Sequence, residues 1–238
     1  FSVENCVFDA NTLPGVTTAP YVTARRGSAI HAYNTTQGVI SDCLLTGSSG
    51  GNAQEMIYVD IQTTNRVTLR NTVMMGKQEG GGIFKAGTGS LILTNCLVAY
   101  AGSHGLQVTN NGAVTVAQCT LANNMGWGVT NASASLTIAN SIVWGNYNGG
   151  VSSTNGSVSY TCAQESLAGS GNLVADPRFI AGAYLSVNGL PFQSADSPCL
   201  DAGNMTAAAA ALDGRSTRTD GAGDAGAVDL GYHAPTGA

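Results

Sequence analysis

One column of this chain has the residue types and spacing for work on a sugar. His31, Tyr58, Phe84 and Gln107 recur at intervals in the twenties, and Thr130 and Ser152 continue the column. Aromatic-type side chains stacked on a flat sheet offer ring faces against which a sugar ring can pack. Asp60, Glu79 and Lys85 fall near them in register, with His104 and Arg70 close by. Glycoside hydrolysis needs two carboxylates across a cleft. A lyase needs a base, and positive charge to neutralise a substrate acid. The candidate catalytic residues are therefore Asp60, Glu79 and Lys85, and the candidate ligand-binding residues are His31, Tyr58, Phe84 and Gln107. The carboxylates do not recur in one column, which counts against a calcium-dependent polysaccharide lyase. The competing reading is a rough outer face carrying incidental charges.

The C-terminal part carries Asp213, Asp220, Asp224 and Asp229 among glycines. Oxygen-rich, Gly-spaced loops can bind Ca²⁺. This spacing matches neither an EF-hand loop nor the nonapeptide calcium repeat. Arg215 and Arg218 can neutralise these acids, so a salt-bridged cap is the preferred reading and Ca²⁺ the lesser one. His31 and His104 fall about three repeats apart, roughly 14 Å along a stack of strands, too far to share a metal; no metal site is expected. No Ser-His-Asp spacing, phosphate loop or Cys-x-x-Cys motif occurs. The sequons at Asn34, Asn131, Asn155 and Asn204 are expected by chance in a chain this rich in Asn, Ser and Thr.

Such residues must be placed by a repeat, and the repeat is explicit. Cys6, Cys43, Thr72, Cys96, Cys119, Ser141 and Cys162 form a column of small side chains whose spacing tightens along the chain. Three residues earlier come Val3, Ile40, Leu69, Leu93, Val116 and Ile138; two residues later come Phe8, Leu45, Met74, Val98, Leu121 and Val143. A third apolar set is Ile30, Ile57, Ile83, Leu106, Val129 and Val151. These three sets should point inward. Three short strands per repeat, alternating with period two and joined by Gly- and Asn-rich turns, make a three-sided parallel coil of about seven rungs. The residue before the column is Asn5, Asp42, Asn71, Asn95, Gln118, Asn140 and Thr161. Asn and Asp tolerate a left-handed bend, and stacked amides bond along the axis. Asp42 is thus a ladder member before it is a catalytic acid.

The column also decides the cysteines. A position that alternates Cys, Thr and Ser wants a small buried side chain, and stacked parallel Cβ vectors suit a disulfide poorly. Cys6, Cys43, Cys96 and Cys119 read as core thiols. Cys162 and Cys199, at the solenoid's end, are the candidate disulfide.

Composition narrows the function classes. Charged residues make up 10% of the chain, against about 25% in ordinary soluble domains. The net charge is −5, lysine occurs only at 77 and 85, and no basic run exists. Nucleic acid is not an expected partner. Apolar runs are too short for membrane insertion or a signal peptide. Phe1 begins within a strand pattern, as in a mature or truncated piece of something longer, or one that docks on a neighbour.

The rungs over residues 1–165 resemble right-handed parallel β-helices of the pectate-lyase-like superfamily. Residues 171–179 (GNLVADPRF), 197–203 (SPCLDAG), 213–215 (DGR) and 229–232 (DLGY) resemble the C-terminal segment of bacterial secreted β-helix proteins of choice-of-anchor or polymorphic-outer-membrane-protein type. His233 replaces that segment's final acid, and the alanine run 207–211 is a further departure. The resemblance implies an all-β fold: a right-handed parallel β-helix over 1–165 with an irregular capping or covering segment over 166–238. It also implies an extracellular or cell-surface location more than a chemistry.

One further column is out of place. Val7, Leu44, Val73, Leu97, Thr120 and Ile142 should point outward, yet almost all are apolar. Contiguous exposed apolar stripes mark interfaces. Either the C-terminal segment folds over this one, or another chain covers it, or the bend turns the column inward after all. Val7, Leu44, Val73, Leu97 and Ile142 are the candidate interface. Two functions remain in view: a non-catalytic secreted or surface protein, structural or adhesive, that self-associates or docks on a neighbouring β-helix subunit; or a carbohydrate-active enzyme or glycan binder taking polysaccharide on the His31 face.

Overall fold

The computed structural model describes residues 1–9, 12–13, 29–47, 49–50, 55–62, 64–76, 80–132, 135–153 and 155–237. The fold is all-β: a parallel solenoid with three faces, followed by an irregular segment. The first face stacks Ser2–Glu4, Gln37–Ser41, Arg66–Arg70, Ser90–Thr94, Ala113–Ala117, the first half of Ser135–Trp144, and Gly156–Ala163. The second stacks Val7–Asp9, Leu44–Thr46, Val73–Met75, Leu97–Ala99, Thr120–Ala122 and the second half of Ser135–Trp144. The third stacks Ile30–Tyr33, Ile57–Asp60, Ile83–Ala86, Leu106–Val108, Trp127–Asn131 and Gly149–Val151. All pairings between these faces' neighbouring strands are parallel. About five turns are complete. The first and last of the seven expected rungs belong to partial turns, which is why the count falls short.

The typical second-face strand is three residues long because a left-handed residue stops it at either end, whereas Ser135–Trp144 runs on through its bend at Asn140. Asn5, Asp42, Asn71, Asn95, Gln118 and Asn140 precede it with φ between 48° and 54°. Gly47, Gly76, Tyr100, Asn123 and Gly145 follow it, also with positive φ. Gly and Asn adopt this backbone at least cost, so the amide and glycine columns are bend columns. The small column turns inward between them. Its hydroxyls and thiols donate to the carbonyl two residues back, as in Thr72 to Arg70 O (2.9 Å), Cys119 to Ala117 O (3.1 Å) and Ser141 to Ala139 O (2.8 Å). The three apolar sets fill the interior as expected, with Ile40, Leu69, Leu93, Leu45, Met74, Ile57, Ile83 and Leu106 fully buried.

The last rung corrects the alignment. Ser141 pairs with Thr161, and Ile142 with Cys162. Thr161 is therefore the small-column member, its Oγ1 donating to Ser159 O at 3.0 Å, and the left-handed residue before it is Tyr160 (φ 46°). A one-residue slip reverses faces, so Cys162 joins the outward apolar stripe.

Residues 164–237 form short antiparallel pairs, Phe179–Ile180 with Tyr184–Leu185 and Arg215–Ser216 with Ala234–Pro235, linked by turns. The alanine run 207–211 is turn, not helix. No helix among the described residues is long and apolar enough to cross a membrane.

Candidate functional site

The third face brings the expected ligand-binding column together. His31 pairs with Tyr58, Tyr58 with Phe84, Phe84 with Gln107, and Gln107 with Thr130. The rings, however, pack on one another. Tyr58 and Phe84 stack with centroids 4.9 Å apart and planes 9° from parallel. His31 meets Tyr58 edge-on at 5.2 Å, and Tyr33 lies 5.8 Å beyond His31. Tyr58 is only 5% exposed. The axial rise of parallel strands, about 4.8 Å, is itself a ring-stacking distance. The ladder thus spends its central ring faces internally and presents edges.

The candidate catalytic residues do not assemble. Lys85 is not on the outward face: it alternates with Phe84 and points into the solenoid, fully buried. Its Nζ donates to Gly87 O (2.6 Å) and Asn111 O (3.2 Å), carbonyls of two stacked turns. Burial pulls its ammonium down to about 8, and the negative charge of Asp60 partly offsets this. Asp60 is half-buried at the end of its strand, and Glu79 lies outside the described residues. Among the described residues no carboxylate pair faces the ladder's ring edges.

Beside Phe84 the same face carries a shallow groove of about 300 Å³ lined by His104, Gln107, Thr109, Thr130, Asn131 and Ser152. Val108 and Ala132 complete the lining, and no lining side chain is a carboxylate or an ammonium. His104 accepts the Trp127 backbone N–H on Nδ1 (3.0 Å), and burial lowers its basicity. A neutral His104, with Gln107 and the hydroxyls, offers hydrogen bonds without charge.

The apolar stripe is half covered. Ile142, Thr120 and Leu97 are 1%, 1% and 5% exposed, whereas Leu44 and Val7 are 38% and 69% exposed, with Val73 between. The cover is the chain's own C-terminal strap. Gly231 N donates to Asn140 O (3.0 Å), Tyr232 N to Thr120 Oγ1 (3.0 Å), and His233 N to Asn95 Oδ1 (2.7 Å). Three successive residues descend three rungs. The amide column is the rail: Asn95 Nδ2 donates both to Asn71 Oδ1 (3.0 Å) and to His233 O (3.0 Å), and Asn140 exchanges two bonds with Asn204. Below the strap, Asn71 Nδ2 donates to Asp42 Oδ1 (2.9 Å), which also faces Arg215 at 3.4 Å. Asp42 is a ladder member, as expected. An apolar pocket of about 270 Å³ opens where the cover ends, between Val73, Met75 and Leu97 on one side and Tyr184, Tyr232 and Pro235 on the other.

In the cap, Asp224, Asp229 and His233 place their ligating atoms within 4.8 Å of one another, all buried. Their bonds are internal. Asp224 Oδ2 accepts from Asp229 N (2.9 Å) and faces His233 Nε2 (2.8 Å); Asp229 accepts from Asp201 N (2.7 Å) and Thr217 Oγ1 (2.5 Å). Burial raises the Asp229 carboxyl above the ordinary range, against the pull of those hydrogen bonds. Asp220 pairs with Arg218 instead, through two bonds of 3.0 and 2.6 Å, and that guanidinium lowers its carboxyl.

Residues 1–165 match the family model described as the right-handed β-helix region. The chain belongs to the right-handed β-helix family. No curated protein and no solved structure matches this β-helix. Two features of it escaped the sequence reading. A second amide ladder is buried at the next corner, where Asn124 Nδ2 donates to Asn146 Oδ1 (2.8 Å) and Gln164 exchanges bonds with the Asn146 backbone. The recurrence of Asn124 and Asn146 five residues after the small column is the signal for it. The strap is the other, and it has no periodic signature.

Proposed function

We propose that this β-helix is a non-catalytic structural protein, secreted or at the cell surface, that associates with a second copy of itself through the uncovered end of its apolar stripe. One observation carries the reading: a single column passes from buried at Ile142, Thr120 and Leu97 to exposed at Leu44 and Val7. Burial of the covered half against the strap supports the reading, and the open half continues the same column. Leu97 and Ile142 leave the expected interface, because the strap has them; Val7, Leu44 and Val73 remain. The inward-facing Lys85, and the lack of a carboxylate pair facing the ring edges among the described residues, argue against catalysis on the aromatic face. Sedimentation velocity over a wide concentration range tests the proposal. Wild type is expected to associate, and Leu44→Glu and Val7→Glu to stay monomeric. A wild-type protein that is monomeric at the highest concentration overturns it.

A second reading has one observation in its favour, the uncharged polar groove at His104, Gln107 and Thr130. It suits the hydroxyls of a neutral glycan, bound and not cleaved. Glycan-array binding that Gln107→Ala and Thr130→Ala both abolish would support it, and an array without hits would remove it.

A further inference from the structure

Register divides the six thiols into two kinds. Cys6, Cys43, Cys96 and Cys119 sit in the inward column, each sulfur donating to the carbonyl two residues before it at 3.1 to 3.4 Å. Cys162 does not. It is level with Ile142, so it projects from the outer face into the cap. There its sulfur donates to Ala175 O at 3.0 Å and meets the thiol of Cys199, with which it hydrogen-bonds. Cys199 belongs to the cap. Its N–H donates to Ser197 Oγ (3.1 Å) and its carbonyl accepts from Leu230 N (2.9 Å). Both cysteines are fully buried, in a cluster with Ile142, Leu185 and Leu230 that joins solenoid to cap.

We propose that Cys162 and Cys199 close into a disulfide that locks the cap onto the last turn, formed by exchange with a small-molecule disulfide of the oxidised-glutathione class. While the cap is open, the Cys162 thiolate attacks a sulfur of the oxidant. A mixed disulfide forms and one small thiolate leaves. As the cap seats, Cys199 gives its proton to solvent and attacks the Cys162 sulfur, and the second small thiolate departs. Two protein thiols are oxidised, one oxidant disulfide is reduced to two thiols, and the two protons lost by the cysteines end on the released thiolates. The fold supplies the encounter: the bond joins residues 37 positions apart in sequence, and only the seated cap brings them together. In that state the Cys199 hydrogen bond holds the Cys162 thiol below its usual range.

A rival pair exists. Cys96 N lies 3.3 Å from Cys119 Sγ, and the two thiols also interact. They occupy equivalent corner positions, just before Leu97 and Thr120, on adjacent parallel turns, so their Cα–Cβ bonds run side by side. A disulfide needs a dihedral near 90° between its two arms, which that arrangement opposes. Cys162 and Cys199 come from separate elements that face each other across an interface.

The test uses the full chain, refolded from denaturant in a glutathione redox buffer, alkylated under denaturing conditions and mapped by non-reducing peptide mass spectrometry. The expected product carries one linked peptide pair, Cys162 with Cys199, and four alkylated cysteines. Its Tm should exceed that of the reduced protein by roughly 5–10 °C, as closing a loop of this length predicts. Cys162→Ser should remove both the link and the shift, and Cys96→Ser should remove neither. The wild-type map decides the matter even where a variant fails to fold. Six alkylated cysteines, a Cys96–Cys119 link, or a linked protein with an unchanged Tm would each overturn the proposal.

Discussion

Thr161 lies level with Ser141, and Cys162 with Ile142. The final turn is therefore offset by one residue from the spacing that the earlier cysteines suggest. The threonine takes the inward place, and the cysteine takes the place that Leu97 and Ile142 hold on earlier turns. The cap consequently docks on a surface that the repeat itself generates, and the repeat's last member there is a thiol.

The aromatic ladder is a packing element, and Tyr58→Ala should show it. Removing a buried ring held between His31 and Phe84 is expected to cost about 3–4 kcal/mol. Urea unfolding reads this as a lower midpoint at unchanged slope. Gln107→Ala, in the open groove, should stay within about 0.5 kcal/mol of wild type. A loss below about 1 kcal/mol for Tyr58→Ala would return the ladder to the list of binding surfaces.

Asn95 serves both its bend and the strap. Asn95→Gly keeps the left-handed backbone (φ 49°) but removes the bonds to Asn71 and to both backbone groups of His233. The expected loss is about 2–3 kcal/mol, with faster proteolysis at Arg215 and Arg218. Asn71→Gly, which the strap does not touch, should leave that proteolysis unchanged.

Gly231 is where the strap crosses closest to the solenoid. At φ 94°, a Cβ there would stand 2.6 Å from Thr120 Oγ1 and 2.9 Å from Ile142 Cδ1. Gly231→Ala should lift the strap at a cost of about 2–3 kcal/mol and raise binding of a hydrophobic dye as Ile142 and Leu97 emerge. Gly214→Ala, which meets nothing within 4 Å, should be silent.

Lys85 gives a pH signature. Its folded-state value is about 8 because burial disfavours the charge, and the unfolded side chain titrates near 10.4. Between about pH 8 and 10.4 the unfolded state holds the extra proton, so this group makes stability rise with pH across that window. Below about pH 8 both states are charged and its contribution is a constant penalty. Lys85→Met should flatten the slope of unfolding free energy against pH in that window. An unaltered slope would mean that the amine is in water.

Much of this was legible in the residues. The inward apolar sets, the small column and the bend column follow from period two and from the left-handed tolerance of Asn, and all reappear in the fold. Two misreadings were avoidable by the same rules. Placing Thr161 in the small column puts Val158 three before it and Ala163 two after it, both inward types; placing Cys162 there puts Ser159 and Gln164 in those positions. Lys85 follows outward Phe84, so alternation alone turns it inward; its charge suggested otherwise, and the turn carbonyls that satisfy it are invisible in sequence. The stripe's division at Leu97 was not legible, because the strap that makes it is a non-repeating segment bonded to Asn140, Thr120 and Asn95, which lie 91, 112 and 138 positions earlier.

That strap changes how the rod responds to force. A solenoid whose turns touch only their neighbours behaves as a series of weakly linked units, free to fray from either end. Residues 231–233 lace together the rungs of Asn140, Thr120 and Asn95, so these turns cannot peel away singly. Stretched between its ends, the molecule should release its early turns in small steps and then yield the laced block in one large rip.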